Sequence, residues 1–297
     1  MIELMIRREG FDKPFTTHNY VFNMFAHVLG QTVFSEKFEQ KDLQKFKYCS
    51  TDFMEDLGNR LYLYEFVPVL RLFMKYPYKL FEQCFDEIKD YTRNIYKTHE
   101  KTYDKNKCRD FCDVLIATKL DAISEDRESA QYYMDENLIS VMVSLFSAGN
   151  ETSSTTFQWM ILLMLINPEM HQKLCDEITV KLNDRIATIS DKAHLDYVMA
   201  FICETLRYRN AAPIGDKYSI KENTYLVVHQ SCILMDEKNW TDADKFNPDR
   251  FLDNHGKFDT VKPPAFIPFS TGRRICPGEQ LAINNLFLIL NLTQLYY

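Results

Sequence analysis

Glycine is scarce in this chain, with 8 in 297 residues, and long stretches carry helical rather than alternating periodicity, which together exclude a mainly β protein. No apolar run approaches the about 18 residues of a membrane-spanning helix, and the Met1 start carries no signal-peptide pattern. No basic run is present and the formal net charge is −7, which argues against a nucleic-acid surface. Repeats and low-complexity tracts are also missing. The cysteines at 49, 84, 108, 112, 175, 203, 232 and 276 include no CxxC pair. In a chain of this length that pattern suggests reduced thiols facing a cytosol-like compartment, not a disulfide framework.

What is present is an ordinary core-forming composition, 46% hydrophobic and 26% charged. The length exceeds the usual span of roughly 100–200 residues per domain, yet one large helical domain is feasible. Periodicity predicts helices over Asn19–Phe34, Asp42–Asn59, Pro77–Tyr103 and Asp110–Ala122. A longer one runs from Asp135, read as an N-cap, to Ile166, where Asn167-Pro168 stops it and starts the next. Its middle is apolar nearly all round, so it is expected to be buried on most faces. At 1.5 Å per residue it would span roughly 48 Å, the width of a domain. A helix is expected from Asp196 through Arg207, short strands at Ile220 and Tyr225–Val228, irregular chain from Lys238 to Ile275, and a last helix from Pro277 towards Tyr297.

The most specific segment is Phe269-Ser270-Thr271-Gly272-Arg273-Arg274-Ile275-Cys276-Pro277-Gly278. Gly272 suits a turn residue of positive φ, Gly278 permits close approach of the backbone to a flat ligand, and Pro277 suits a first helical turn. A Cys276 thiolate at the start of a helix sits at the positive end of its dipole, which favours metal ligation. The plainer alternative for any one cysteine is a small buried hydrophobe.

Three further groupings stand in order along the chain. Ala148-Gly149-Asn150-Glu151-Thr152-Ser153 places polar residues inside the long helix, where they compete with its backbone hydrogen bonds. Taken alone, this reads as a polar patch against a neighbouring helix. Glu204 and Arg207, at i and i+3, share one helix face, an arrangement that is common and weak on surfaces. Phe246-Asn247-Pro248-Asp249-Arg250-Phe251 adds a third charged residue, and a carboxylate shared by two arginines offsets its desolvation better than a single pair. His229 is the one histidine considered as a metal ligand; an exposed or satisfied histidine is the better reading.

Taken together these segments resemble the cytochrome P450 family: F-x-x-G-x-R-x-C-x-G is matched at Phe269, Gly272, Arg274, Cys276 and Gly278. The A/G-G-x-D/E-T-T/S motif is matched at Ala148–Ser153, E-x-x-R at Glu204 and Arg207, and F-x-P-x-R-F at Phe246–Phe251. Thr224, Leu226, Asp236 and Trp240 follow the spacing of a further family segment, from which His229, Cys232, Leu234 and Glu237 depart. Lys13-Pro14-Phe15, the Asn23–Phe34 helix, Leu63–Pro68 and Asp191–Tyr197 are similar to the animal microsomal branch that oxidises drugs and steroids.

The resemblance implies a mostly α, partial P450 fold, with a long central helix over the haem, small β elements and the cysteine loop before the last helix. It implies haem b ligated by the Cys276 thiolate, with Phe269, Gly272 and Gly278 shaping the loop and Arg274 facing a propionate. Ala148 and Gly149 would lie beside the haem, with Gly149 weakening the long helix so that it bulges there, Thr152 and Glu151 would relay protons to dioxygen, and Glu204, Arg207 and Arg250 would form a structural network. The implied reaction inserts one atom of O2 into a small lipophilic substrate (a xenobiotic, steroid or fatty acid). NADPH-derived electrons would arrive through a partner reductase or a cytochrome b5-type donor. The implied place is the cytosolic face of the endoplasmic reticulum membrane, with membrane association expected of full-length members. Residues 1–297 are expected to form a single incomplete domain, lacking the anchor and first sheet before Met1 and the terminal strands after Tyr297, with a shortened Pro213–Lys217 connection. The competing expectation is a non-catalytic helical protein, a truncated isoform or partial gene product, that does not hold haem stably.

Overall fold

The computed structural model describes residues 15–35, 38–53, 63–64, 67–74, 76, 79–183, 185–212, 214–215 and 228–294. The chain is mostly helical and divides into two compact units, Met1–Val21 with Thr152–Tyr297, and Phe22–Glu151. The described α-helices are α1 (His18–Phe34), α2 (Gln40–Lys47), α3 (Lys79–Lys101), α4 (Phe111–Ser124), α5 (Asp135–Ile166), α6 (Pro168–Leu182), α7 (Asp196–Tyr208), α8 (Gln230–Leu234) and α9 (Glu279–Gln294). The described strands are β1 (Ile214–Gly215) and β2 (Val228–His229), paired antiparallel with Ile214 opposite His229. The strand residues expected at Ile220 and Tyr225–Leu226–Val227 lie outside the described residues. None of the described helices is long and apolar enough to cross a membrane.

The unit Phe22–Glu151 is built on an aromatic core. Phe34, Phe38, Phe46 and Phe146 pack with ring centroids 4.4–5.8 Å apart, within the range in which edge and tilted ring contacts add to area burial. Asp110 caps α4 through its carboxylate, which accepts from Asp113 N–H at 3.0 Å. In the described part of the helix expected over Asp42–Asn59, α2 is followed by a π-helical turn, Tyr48–Asp52; residues 54–59 lie outside the described residues. Asp135 was expected to cap α5 and does not. It is the first helical residue, and its side chain accepts instead from Lys119 Nζ at 2.6 Å and the Tyr96 hydroxyl at 3.0 Å. Those two donors outbid the local backbone.

The other unit centres on α7, in which every residue from Asp196 to Arg207 is buried. The carboxylate of Glu177 on α6 caps it from outside, accepting from Tyr197 N–H at 3.0 Å and Val198 N–H at 2.9 Å. The irregular stretch after Lys238 packs onto this helix. Trp240, Ala243, Phe251 and Ala265 join Ala200 and Cys203 in one cluster. Its chain folds by tight turns rather than ladders, such as the Asx turn in which Lys238 N–H reaches Asp236 Oδ1. Asn167 begins α6 as expected, with Pro168 at its first position, but its side chain bonds back to Leu163 O at 2.9 Å and caps nothing.

Candidate functional site

The cysteine loop is a closed turn leading into α9. Ser270 and Gly272 both adopt positive φ, 66° and 77°, and Cys276 N–H donates back to Phe269 O at 2.9 Å, with Ile275 N–H on Gly272 O at 3.1 Å. These bonds fix the turn, and Asn210 at the end of α7 pins its approach through Pro268 O at 3.1 Å. α9 starts later than the proline suggests. Gly278 O accepts the first helical bond, from Ala282 N–H at 2.8 Å, so Gly278 is the cap and Pro277 precedes it. A Cβ at Gly278 would meet Cys276 Sγ at 3.8 Å, an ordinary contact.

Cys276 is exposed, whereas Cys203 lies in the core of the same unit. Burial pushes the Cys203 thiol up to about 11, so Cys203 takes the role of inert small hydrophobe and Cys276 does not. Arg274 is exposed and forms no ion pair among the described residues; Phe269 is half-buried. One accessible thiol at a helix start, beside an uncommitted guanidinium, is a donor set that suits a metal-bearing cofactor with carboxylate arms.

The polar motif of α5 divides by face. Ala148 and Thr152 are exposed and fall on one helical stripe with Val141 and Ser144, while Glu151 is half-buried and Asn150 is fully buried. The bulge expected at Gly149 is not there, because α5 is continuous from Asp135 to Ile166. Gly149 instead makes room for α1, since a Cβ would meet Leu29 Cδ1 at 3.3 Å.

Glu204, Arg207 and Arg250 do come together, unequally. Glu204 and Arg207 are buried at 0% and 1% exposure. Arg207 grips both carboxylate oxygens, Nε to Oε2 at 2.7 Å and Nη2 to Oε1 at 2.8 Å. It also donates to Leu234 O at 2.8 Å and Ala243 O at 3.0 Å. Asn247 N–H reaches Glu204 Oε1 at 2.8 Å, whereas Arg250 Nε is 3.4 Å away. Arg250 mainly clasps the carbonyls of Thr241 and Asp242. His229, in β2, is exposed.

Residues 1–294 match the family model described as Cytochrome P450. The chain belongs to the cytochrome P450 family. Mouse cytochrome P450 2J5 is 29% identical over 301 residues, covering 96% of this chain and 58% of that protein. Chicken cytochrome P450 2H2 is 30% identical over 298 residues, 95% and 59%. The steroid 17-alpha-hydroxylase/17,20 lyase of Squalus acanthias is 31% identical over 242 residues, 76% and 47%. This P450 chain thus spans about half to three-fifths of the length of these relatives.

Two features of the P450 chain were not read from its sequence. Ser270 shares the left-handed region with Gly272, although a serine at positive φ leaves no composition signal. His99, Asp110 and Cys112 meet in the other unit, and only the histidine-to-cysteine spacing across a predicted helix–helix turn would have hinted at it.

Proposed function

We propose that this chain is the haem-binding part of a monooxygenase that inserts one atom of dioxygen into a small lipophilic substrate such as a xenobiotic, steroid or fatty acid. The observation that carries the proposal is the exposed Cys276, held by the Phe269–Cys276 turn directly ahead of α9. A thiolate-ligated haem supplies the electron density that favours O–O cleavage. Cys276 Sγ would be the ligand, at the positive end of α9. Arg274 would pair with a propionate through its planar fork. Phe269, Gly272 and Gly278 would keep the turn tight and the approach open. Thr152 Oγ1 would hold a proton for dioxygen and Glu151 would replenish it from solvent. Glu204, Arg207 and Arg250 would serve the fold, not the reaction. Electrons would come from NADPH through a reductase or a cytochrome b5-type donor, at the cytosolic face of the endoplasmic reticulum membrane.

The test is the absorption spectrum of the chain expressed with a haem precursor, reduced and exposed to carbon monoxide. A strongly red-shifted Soret band is expected, lost in Cys276→Ser and retained in Cys203→Ala. Its absence in the parent chain would overturn haem-thiolate ligation here. In a version extended to the relatives' length, Thr152→Ala should keep the band and divert reduced oxygen to peroxide; unchanged coupling would count against the relay.

A further inference from the structure

Outside the motifs of the haem reading, three ligand-type side chains converge between the last turn of α3 and the first turn of α4. His99, Asp110 and Cys112 bring a ring nitrogen, a carboxylate oxygen and a sulfur within 4.8 Å of one another. All three residues are buried, at 6%, 8% and 0% exposure.

The hydrogen bonding there is incomplete in a specific way. His99 Nδ1 lies 3.0 Å from Ile95 O and Nε2 lies 2.7 Å from Asp110 Oδ2. Both partners accept, and a neutral ring carries one hydrogen, so one of the two contacts sets a ring lone pair against an acceptor. With the hydrogen on Nδ1, the Nε2 lone pair and Asp110 Oδ2 are both available to a cation. Asp110 Oδ1 is already used by Asp113 N–H at 3.0 Å. Arg109 is committed elsewhere, to both oxygens of Asp113 at 2.7 Å, to the Thr102 hydroxyl and to His99 O. The Cys112 thiol makes no hydrogen bond among the described residues.

We propose that His99 Nε2, Asp110 Oδ2 and Cys112 Sγ bind a divalent ion of the zinc class, clamping the end of α3 to the start of α4. Mixed nitrogen, oxygen and sulfur ligation at about 2.0–2.3 Å is the chemistry zinc accepts, with water completing four-coordination. The Ile95 carbonyl on Nδ1 is the kind of outer partner that orients a ligating imidazole. Uptake forms the metal–sulfur bond and releases the thiol proton, and the sulfur ligand selects for ions of high thiolate affinity over calcium or magnesium. Entry would be through the exposed turn 104–108, where Cys108 Sγ lies 3.6 Å from Asp110 O.

The experiment uses the full chain, stripped with a chelator and titrated with cobalt(II), then zinc. One equivalent of cobalt should give a thiolate-to-metal charge-transfer band that zinc displaces. Cys112→Val should lose the band while keeping its far-UV dichroism, and His99→Gln should weaken binding at least about tenfold. Cys276→Ser and Cys108→Ser should retain it, so that failure of the haem reading and failure of this one are separable. No band in the parent chain, a band surviving in Cys112→Val, or loss in Cys108→Ser instead would each overturn the site and leave a plain His99–Asp110 hydrogen bond. Should the Cys112 variant fail to fold, alkylation of the parent chain in mild denaturant decides: zinc must slow modification of Cys112 and not of Cys84, and equal rates sink the proposal.

Discussion

Glu204→Gln removes one negative charge from beneath Arg207 without changing the size of the side chain. The guanidinium it leaves is 1% exposed and keeps only carbonyl partners for its charge. Breaking a buried pair from one side costs about 3–5 kcal/mol. At about 2 °C per kcal/mol for a domain of this size, the thermal midpoint should fall by roughly 6–10 °C. Arg207→Met should cost at least as much, because the buried carbonyls of Leu234 and Ala243 also lose their donor, at about 1–3 kcal/mol for each unsatisfied acceptor. Arg250→Ala should cost less, about 1–2 kcal/mol, since its contact with Glu204 is 3.4 Å and its carbonyl bonds to Thr241 and Asp242 are exposed. The assay is urea unfolding followed by far-UV dichroism, comparing midpoints at unchanged slope. A Glu204→Gln loss under about 1 kcal/mol, or an Arg250→Ala loss equal to it, would refute the unequal sharing.

Two further outcomes follow from the loop and from the turn before α7. Gly272→Ala, at φ 77°, should cost about 1–2 kcal/mol, whereas Gly278→Ala, whose new Cβ meets Cys276 Sγ only at 3.8 Å, should cost under about 1 kcal/mol; equal losses in thermal melts would count against the turn geometry. Arg185, then Thr188, holds the Asp191 carboxyl well below the usual carboxylate range. A depressed folded pKa means its stabilisation is complete above the unfolded value near about 4 and is lost as pH falls through the folded one. The gap in urea midpoint between parent and Asp191→Asn should therefore be widest at neutral pH and close in acid; a constant gap would exclude this linkage.

Where the signal was local, it was readable. The span of α5, Asp135–Ile166, follows from continuous apolar periodicity and the Asn167-Pro168 stop, both short-range. The caps at Asp135 and Asn167 were not, because Lys119, Tyr96 and Leu163 compete for those side chains, and such competitors are set by packing. Gly149 was misread for the same reason. A glycine inside a helix suggests a weak point until Leu29 is found lying against it.

By itself the sequence determined the helical class, the order of four motifs and the ten residues around Cys276. These depend on residue types at fixed short spacing, which the chain carries into any environment. Tertiary structure alone decided that Cys276 is accessible and Cys203 is not, and which arginine truly neutralises Glu204. It also decided that His99 meets Asp110 and Cys112. Charge, exposure and ligand sets depend on desolvation by neighbours distant in the chain, and no local pattern encodes that.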